Sequence, residues 1–329
     1  MRARAGGVSG IGPWREKVCA RAGGVSGTGP WREKCAPGRE WDAGAAMPDL
    51  VITSAANPRL KSLLALRRRR AREESGQTLV EGHEEIGLAL SAGVRPATVY
   101  VCTELFSPAG RAGSQQIGHQ DDLLAELRTA GTEVVRLSRT AFERVSYREG
   151  PDGLLAVVDR VGGTLADLPA PGAEHLTLLS QGVEKPGNLG AMLRTADAAG
   201  VDAVVAADPV TDWGNPNVVR ASKGTLFALP VATASTDEAV QWLRDHDVAL
   251  VVTTPETDLL HTDVDLTGRV AIAVGSEKHG ADDVLLGAAT HRVRIPMNGR
   301  ANSLNVAASA AIVLYEAVRQ RGMSGHRSG

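Results

Sequence analysis

Short apolar runs alternate with segments of helical periodicity over the second half of the chain. Strands are predicted where a run is apolar on both faces, at residues 176–179, 203–206, 249–252, 270–274 and 293–295. Helices are predicted where apolar residues recur every three or four positions, at residues 189–199, 236–246, 282–288 and 303–319. Strands that are apolar on both faces and separated by helices are typical of a parallel sheet covered on both sides. The pattern therefore predicts an α/β fold with a parallel sheet from residue 175 onward.

A shorter version of the same alternation lies between residues 50 and 160. One helix is predicted from Asn57 to Arg72, because leucines recur at near-helical spacing after the Asn57-Pro58 start signal. Further strands are predicted at 78–80, 99–102 and 134–137, helices at 82–92 and 123–130, and a polar, glycine-rich loop at 106–122. We therefore predict a small α/β domain at residues 47–160, a Gly- and Pro-rich linker at 161–174 and a second domain at 175–322.

The first residues of the chain contain a duplication. Residues 3–17 recur as residues 20–34 with a single change, Ile11 to Thr28. The copies are glycine-rich and lack an apolar period, so they cannot bury a face, and no continuous apolar run marks a signal peptide. We expect residues 1–46 to be a disordered extension from a misassigned start, with Met47 as the working start, and residues 323–329 to be a disordered tail.

Composition and charge exclude several classes of protein. The 329 residues are 43% hydrophobic and 22% charged, include only three cysteines, and carry a net charge of −2. Three cysteines cannot form a disulfide scaffold, and outside residues 1–46 only Cys102 remains, which predicts a cytoplasmic protein without a cysteine metal site. The eight histidines include no His-x-x-x-His pair, which disfavours a metal-dependent hydrolase. No apolar run reaches the roughly 18–20 residues of a membrane span.

Positive charge is concentrated near the start of the first domain. Seven cations precede the first acid of this stretch, Glu73: Arg59, Lys61, Arg67, Arg68, Arg69, Arg70 and Arg72. The simplest interpretation is a solvated helix face. Because the rest of the chain beyond residue 46 is net acidic, an anionic partner such as RNA phosphate is the alternative.

Three loops of the second domain carry polar residues next to predicted strands. The first is GVEKPGNLGAMLRT at 182–195, where Asn188 is predicted to cap a helix that carries Arg194. The second is GSEKHG at 275–280, and the third is IPMNGRANSLNV at 295–306, where Ser303 and Asn305 stand at the entrance to the last helix. Each loop alone is a weak signal. Since ligands of parallel sheets bind at the carboxyl ends of the strands, the three together predict a site.

In this order, the three segments resemble the motifs of the SpoU/TrmH family in the SPOUT superfamily, which are 2′-O-ribose RNA methyltransferases. The resemblance covers residues 175–319. A looser one, at Asn57-Pro58-Arg59 and at residues 78–82, is to the substrate-binding domain that precedes the catalytic domain in members acting on ribosomal RNA. The resemblance implies a C-terminal deep trefoil knot, S-adenosyl-L-methionine bound in the knot, and a homodimer with the active site near the subunit interface.

The resemblance also implies roles for individual residues. Those matching the cofactor-binding positions are Gly275, Ile295, Met297, Ser303 and Leu304. Arg194 matches the catalytic arginine, and Asn188, Glu277 and Asn305 match positions that hold this arginine and the ribose. A guanidinium is almost never neutral in a protein, so we expect Arg194 to stabilise the developing alkoxide rather than accept a proton, and Glu277 to orient it through a charge-assisted hydrogen bond.

For RNA binding, the basic residues Arg59, Arg67, Arg68, Arg69 and Arg70 are expected to contact the backbone from the first domain. In residues 219–230, Arg220 and Lys223 match a family segment and have either a phosphate-binding or a structural role.

The sequence is compatible with several functions. The leading domain favours 23S ribosomal RNA as substrate over tRNA, and a non-catalytic RNA-binding protein on the same scaffold is the main alternative outside enzymes. A nucleotide-binding dehydrogenase needs Gly-x-Gly-x-x-Gly after a first strand, and neither residues 187–190 nor 275–280 supply it.

Overall fold

The computed structural model describes residues 50–106 and 119–325. The expected extension at residues 1–46, the start at Met47 and the tail beyond residue 325 lie outside the described residues, as does most of the loop predicted at 106–122. None of the helices in the described ranges is long and apolar enough to cross a membrane.

The first domain is a five-stranded mixed sheet with helices packed against it. Its strands are β1 (Leu50–Ile52), β2 (Gln77–Glu81), β3 (Thr98–Val101), β4 (Glu133–Leu137) and β5 (Leu154–Asp159), in the order β1-β4-β3-β5-β2. Its helices are α1 (Pro58–Ala65), α2 (Arg69–Ser75), α3 (His83–Ser91), α4 (His119–Thr129) and α5 (Arg139–Val145). The predicted small α/β unit is confirmed, although β1, α5 and β5 were not predicted.

The helix predicted from Asn57 to Arg72 is in fact two helices. Asn57 caps α1 by accepting a hydrogen bond from the backbone N–H of Arg59 at 2.9 Å. The chain then leaves the helix, because the side chain of Arg72 donates to the carbonyls of Leu66 and Arg67, both at 2.9 Å. The leucine spacing could not reveal this break, since it depends on a side chain five or six residues further on.

The second domain contains a six-stranded sheet in which every neighbouring pair is parallel, so the predicted parallel sheet is confirmed. Its strands are β6 (Leu176–Gln181), β7 (Ala203–Ala207), β8 (Val231–Ala234), β9 (Ala249–Thr253), β10 (Val270–Val274) and β11 (His291–Val293). The strand order is β11-β9-β10-β6-β7-β8.

Five helices accompany this sheet: α6 (Pro186–Ala199), α7 (Pro216–Ala221), α8 (Thr236–Asp245), α9 (Asp283–Ala288) and α10 (Val306–Gly325). Apolar residues of α6 and α10 pack on one face, and those of α8 pack on the other. Helix α7 and strand β8 were not predicted. Helix α10 begins at Val306 rather than at Ser303, because Asn305 accepts hydrogen bonds from the N–H groups of Ala307 and Ala308 at 3.0 and 3.3 Å.

The chain crosses back over the sheet before its last helix. Strand β11 lies at the edge beyond β9, where Arg294 donates its N–H to the carbonyl of Leu259 at 2.9 Å. Helix α10 nevertheless contacts α6 and β10 in the middle of the sheet. Near its end, Gln320 accepts from the N–H of Leu266 at 2.8 Å and donates to the carbonyl of Val264 at 3.0 Å. The segment between β9 and β10 therefore contacts the chain twice, once just after β11 and once near the end of α10.

The two domains share one continuous apolar core. Val80 and Ile86 of the first domain belong to the same buried cluster as Leu189 and Met192 of α6. The segment predicted as a linker also packs on the second domain, since Gly163 forms a parallel bridge with Ala232 in β8. The domains are thus joined by packing as well as by the chain.

Candidate active site

Three loops meet at the carboxyl edge of the second sheet. One follows β6 and leads into α6, the second follows β10, which is the neighbour of β6, and the third follows β11 and leads into α10. They contain the three segments that the sequence predicted to form a site. Because all six strands are parallel, their carboxyl ends point in the same direction.

A chain of side-chain hydrogen bonds links the three loops. Asn188 donates through Nδ2 to Oε1 of Glu277 at 2.7 Å, and Asn305 donates through Nδ2 to Oδ1 of Asn188 at 3.1 Å. Three of the four predicted catalytic residues are therefore in contact, although they lie as much as 117 positions apart in the chain. The short Asn188–Glu277 bond is charge-assisted, which makes it stronger than a bond between neutral groups.

The role predicted for Asn188 as a helix cap is wrong. Helix α6 begins at Pro186, and Lys185 occupies the capping position. Proline is favoured at the first helical position because it has no N–H to leave unpaired. Asn188 therefore lies inside the first turn, and its side chain is available to connect Glu277 and Asn305.

Glu277 is held as a carboxylate. Burial alone would raise its pKa, but hydrogen bonds from the side chain of Asn188 and from backbone N–H groups, including that of Glu184 at 3.3 Å, hold the pKa below the ordinary value. Next to it, Lys278 forms an ion pair with Glu184 at 2.9 Å. Glu277 and Lys278 thus join the second loop to the first. The carboxylate of Glu277, which accepts from Asn188, stays charged.

Replacing Glu277 with glutamine tests this arrangement through pH. The pKa of Glu277 is lower in the folded than in the unfolded protein, so its stabilising contribution is complete above the unfolded value of roughly 4.3 and is lost as pH falls through the folded value. We expect wild type to unfold at a higher temperature than Glu277→Gln at neutral pH, with the difference shrinking below about pH 4.3. Thermal unfolding followed by circular dichroism checks this. A pH-independent difference would contradict it.

The loop after β10 is a tight turn that requires glycine at its first position. Ser276 and Gly280 pair through two backbone hydrogen bonds of 2.9 and 3.1 Å. A Cβ at Gly275 would lie 2.0 Å from the backbone carbon of Gly280 and 2.0 Å from the nitrogen of Ala281. Gly275, predicted to bind the cofactor, therefore also fixes the shape of the loop that carries Glu277.

The other predicted cofactor residues line the loop between β11 and α10. Ile295 is partly buried and Ser303 is exposed, while Met297 and Leu304 are each 38% exposed although they are apolar. Exposed apolar side chains offer a surface on which the flat adenine ring of S-adenosylmethionine, the cofactor that the resemblance implies, could pack. The described ranges contain no group of three or more His, Cys, Asp and Glu side chains that could hold a metal ion.

Arg194 lies on the predicted helix, but apart from the hydrogen-bonded chain of Asn305, Asn188 and Glu277. It is exposed on α6, about one third of a turn around the helix axis from Asn188. Among the described residues no hydrogen bond or ion pair connects its side chain to Glu277, and the expected orientation of Arg194 by Glu277 stays a prediction. The carboxylate of Glu277 is taken by Asn188 and by the backbone N–H of Glu184.

In the basic segment near the start of the first domain, residues 59–72, several cations form ion pairs with acidic side chains of the same domain. Arg59 pairs with Glu133, Arg69 with Glu73 and Arg70 with Glu74, at 2.8, 2.7 and 2.7 Å. Three of the cations therefore have an intramolecular counter-charge. These pairs are exposed, and such pairs contribute only about 0–1 kcal/mol each, so phosphate can replace the acids at little cost.

Arg67 and Arg68 have no acidic partner among the described residues. Arg67 donates to the carbonyls of Val145 and Ser146 at 2.9 and 2.7 Å, and Arg68 is exposed just before α2. In the second domain, Arg220 is exposed near the end of α7. Lys223 instead faces the first domain, where it lies 3.7 Å from Glu84 and 4.0 Å from Glu85. Its position favours the structural role over the phosphate-binding one.

Two pairs of residues that matter for the site were not predicted. They are the Glu184–Lys278 ion pair and the contact between Arg72 and Asp212, which joins the two domains. Glu184 and Lys278 lie inside segments already singled out, so their opposite charges were a usable signal. Arg72 and Asp212 are separated by 140 positions, and no local pattern connects them.

Comparison with known proteins agrees with this geometry. The model of the SpoU rRNA methylase family matches residues 175–315, and the model of the MRM3-like substrate binding domain matches residues 57–156. The first match contains all three loops of the site, and the second contains the basic segment of the first domain.

Individual relatives cover most of the chain. A 23S rRNA (guanosine(2553)-2′-O)-methyltransferase, RlmP, of Bacillus subtilis is 31% identical over 80% of this chain and 97% of its own. A crystal structure of an RNA 2′-O ribose methyltransferase is 40% identical, with a TM-score of 0.72 over 83% of this chain and 99% of the other. AviRb from Streptomyces viridochromogenes, solved in complex with AdoMet, is 30% identical with a TM-score of 0.70 over 81% of this chain and 100% of the other.

Proposed function

The chain belongs to the SpoU rRNA methylase family, and on that premise we propose that it transfers a methyl group from S-adenosylmethionine to a ribose 2′-hydroxyl of 23S ribosomal RNA. The observation that carries the proposal is the hydrogen-bonded chain of Asn305, Asn188 and Glu277 at the carboxyl edge of the parallel sheet. A non-catalytic RNA-binding protein would have no need to keep this network.

The chemical difficulty lies in the ribose. S-adenosylmethionine, when bound, supplies an electrophilic methyl group, so no covalent intermediate on the protein is needed. The 2′-hydroxyl is a very weak acid, and as it attacks it must give up its proton, which passes to solvent water at this open edge of the sheet. Arg194 places a permanent positive charge near the developing alkoxide, and a donor of this kind lowers the barrier by about 2.7–4 kcal/mol. Asn188 and Asn305 present amide groups for the ribose, held in place by Glu277.

The cofactor is held by the loops after β10 and β11. Gly275, Ile295, Met297, Ser303 and Leu304 are the residues we assign to this role. Met297 and Leu304 offer apolar surface to the adenine ring, and Ser303 and the backbone offer hydrogen bonds. The narrow turn at Gly275 keeps the backbone close to the ligand.

A deep trefoil knot and a homodimer complete the proposal for the catalytic domain. The knot is supported by the return of α10 from the edge strand β11 to the centre of the sheet, past the segment that connects β9 to β10. The homodimer is supported by the solvent-facing Arg194 and by Tyr315 of α10, which is 50% exposed. In this arrangement the partner subunit completes the surroundings of Arg194.

The first domain is proposed to bind the RNA backbone, with residues 47–160 as the substrate domain, 161–174 as the linker and 175–322 as the catalytic domain. Arg59, Arg67, Arg68, Arg69 and Arg70 are the phosphate contacts in the first domain, with Arg220 in the second. Lys223 is assigned to the contact between the domains, because it already lies beside Glu84 and Glu85. Phosphate contacts fix the position of the RNA without reading its sequence.

Replacing Arg68 and Arg70 together with alanine is expected to weaken RNA binding. Each lost phosphate contact reduces the slope of log K against log salt by roughly 0.7–0.9, so two should flatten it by about 1.5. Filter binding of a 23S rRNA transcript at several salt concentrations measures both quantities. Arg244→Ala, which removes an exposed arginine of α8, is the control. Equal affinity and slope for all three proteins would show that the segment is only a solvated surface.

Ribosomal RNA is preferred over tRNA because two relatives that span both domains and are at least 31% identical to this chain are named as 23S rRNA methyltransferases. Purified protein, tritiated S-adenosylmethionine and separate transcripts of 23S rRNA and total tRNA test this. We expect label in 23S rRNA, recovered after digestion as a 2′-O-methylated nucleoside. Label in tRNA, or on a base, would overturn the proposal.

A further inference from the structure

The two domains meet through an ion pair between a buried arginine and a partly buried aspartate. Arg72 is only 5% exposed, and it donates through Nε at 3.0 Å and through Nη2 to the two carboxylate oxygens of Asp212 in the second domain. Its remaining nitrogen, Nη1, donates to the carbonyls of Leu66 and Arg67. All three nitrogens of one guanidinium are therefore used, and the planar group matches the carboxylate in the bidentate geometry that only arginine offers.

Further contacts hold the segment of the second domain that contains Asp212. This segment, residues 208–215, follows β7 and so starts at the same edge of the sheet as the loops of the active site. Arg69 donates to the carbonyl of Val210 at 3.2 Å, and the hydroxyl of Thr78 donates to the carbonyl of Gly214. Gly214 leaves little space, because a Cβ there would lie 3.1 Å from Oγ1 of Thr78.

A second charged contact between the domains lies on α3, and its polarity is opposite to that of the Arg72–Asp212 pair. Here the second domain supplies the cation, Lys223, and the first domain supplies the acids, Glu84 and Glu85. Gly224, at a φ of +81°, lets the chain pass close to Glu85, since a Cβ would lie 3.1 Å from its Cα. Two charged contacts of opposite polarity favour one relative placement of the two surfaces, because any shift brings like charges closer together.

We infer that this interface fixes the substrate domain on the catalytic domain in one orientation, and that Arg72 and Asp212 are positioning residues for methyl transfer to RNA. The inference rests on the proposed function. Domains in one chain move relative to each other by default, unless the interface is large and apolar. Here a shared apolar core and the Arg72–Asp212 pair join them, and the same Arg72 holds the turn that carries Arg67 and Arg68.

The consequence is kinetic. Phosphate contacts in the first domain and the ribose site in the second domain must be occupied by the same RNA molecule. When the domains are fixed, binding at one place presents the RNA to the other at a high effective concentration. When the interface loosens, that advantage is lost, although the catalytic residues themselves are unchanged. The KM for RNA should therefore rise while kcat and the affinity for S-adenosylmethionine stay nearly constant.

The test compares Asp212→Asn and Thr78→Val with wild type. Asp212→Asn removes the counter-charge of the buried Arg72, and Thr78→Val removes only a hydroxyl, so the second variant carries the test if the first does not fold. Glu143→Gln is the control, because it breaks the exposed Arg139–Glu143 pair, which lies within one helix of the first domain. The substrate is a 23S rRNA transcript with labelled S-adenosylmethionine, and isothermal titration gives the affinity for S-adenosylmethionine.

We expect KM for RNA to rise about tenfold in Asp212→Asn and by less in Thr78→Val, with kcat within about twofold of wild type and Glu143→Gln unchanged. Unchanged KM in both variants would overturn the inference, and so would a loss confined to kcat or to cofactor binding. Hydrogen exchange provides a readout that does not need activity. Faster exchange than in wild type at residues 208–215, with no change at residues 182–188, supports a fixed interface between the domains. Exchange rates equal to those of wild type in both segments overturn it. This readout holds even if wild type proves inactive on 23S rRNA.

Discussion

Arg194→Ala is expected to lower the rate of methyl transfer to RNA by about 100- to 1,000-fold while leaving the affinity for S-adenosylmethionine nearly unchanged. Removing a donor that stabilises a developing negative charge typically has an effect of this size. The side chain of Arg194 is exposed on α6 and makes no ion pair within the described part of the chain, so truncating it should leave the fold intact. Single-turnover kinetics at saturating RNA and cofactor measure the chemical step, and isothermal titration measures cofactor binding.

Two further variants sharpen this test. Arg194→Lys keeps the positive charge but loses the planar guanidinium, so its rate should fall between wild type and Arg194→Ala. Arg244→Ala removes an exposed arginine of α8, on the opposite face of the sheet, and should behave as wild type. Near-normal turnover in Arg194→Ala would remove Arg194 from the catalytic assignment.

Gly275→Ala is expected to abolish cofactor binding and to destabilise the fold. The new methyl group would lie 2.0 Å from backbone atoms of Gly280 and Ala281, and backbone cannot rotate away as a flexible side chain can. Overpacking of this kind costs about 1–3 kcal/mol when the structure can adjust. The adjustment here opens the turn that carries Glu277, so the site changes shape. Isothermal titration with S-adenosylmethionine and thermal unfolding measure the two effects.

The matched control is Gly287→Ala in α9. A Cβ at Gly287 meets nothing within 4 Å, and alanine favours helix over glycine by about 0.5–1 kcal/mol. This variant should bind the cofactor as wild type does and be equally or more stable. If Gly275→Ala also bound S-adenosylmethionine normally, the loop after β10 would not be the cofactor site that we assign.

The sequence predicted those parts of the fold whose signals are local. Strands such as Val270–Val274 are apolar on both faces because helices cover both sides of the sheet, and their runs are short and uninterrupted. The short edge strand Leu50–Ile52 was missed because three residues carry too little pattern. The break between α1 and α2 was missed because it depends on hydrogen bonds from Arg72 to two carbonyls.

In the site, too, the sequence predicted the residues but not the contacts between them. Asn188, Glu277 and Asn305 were selected because they matched a family pattern, and their contacts agree with a shared role. Their partners were harder to predict, since the sequence indicates which residues are polar but not which of them meet. In the structure Glu277 accepts a hydrogen bond from Asn188, and Lys223 lies beside Glu84 and Glu85, which favours the structural one of its two predicted roles. Such pairings depend on how loops from distant segments pack.

The most direct measurement of the central claim is a map of ribose 2′-O-methylation on 23S rRNA from cells with and without the gene. A 2′-O-methyl group protects the adjacent phosphodiester from alkaline cleavage, so each modified ribose appears as a gap in a cleavage profile. We predict that one ribose of 23S rRNA loses its methyl group when the gene is deleted and regains it when wild type, but not Arg194→Ala, is restored. Identical maps from the two strains would contradict the proposed function.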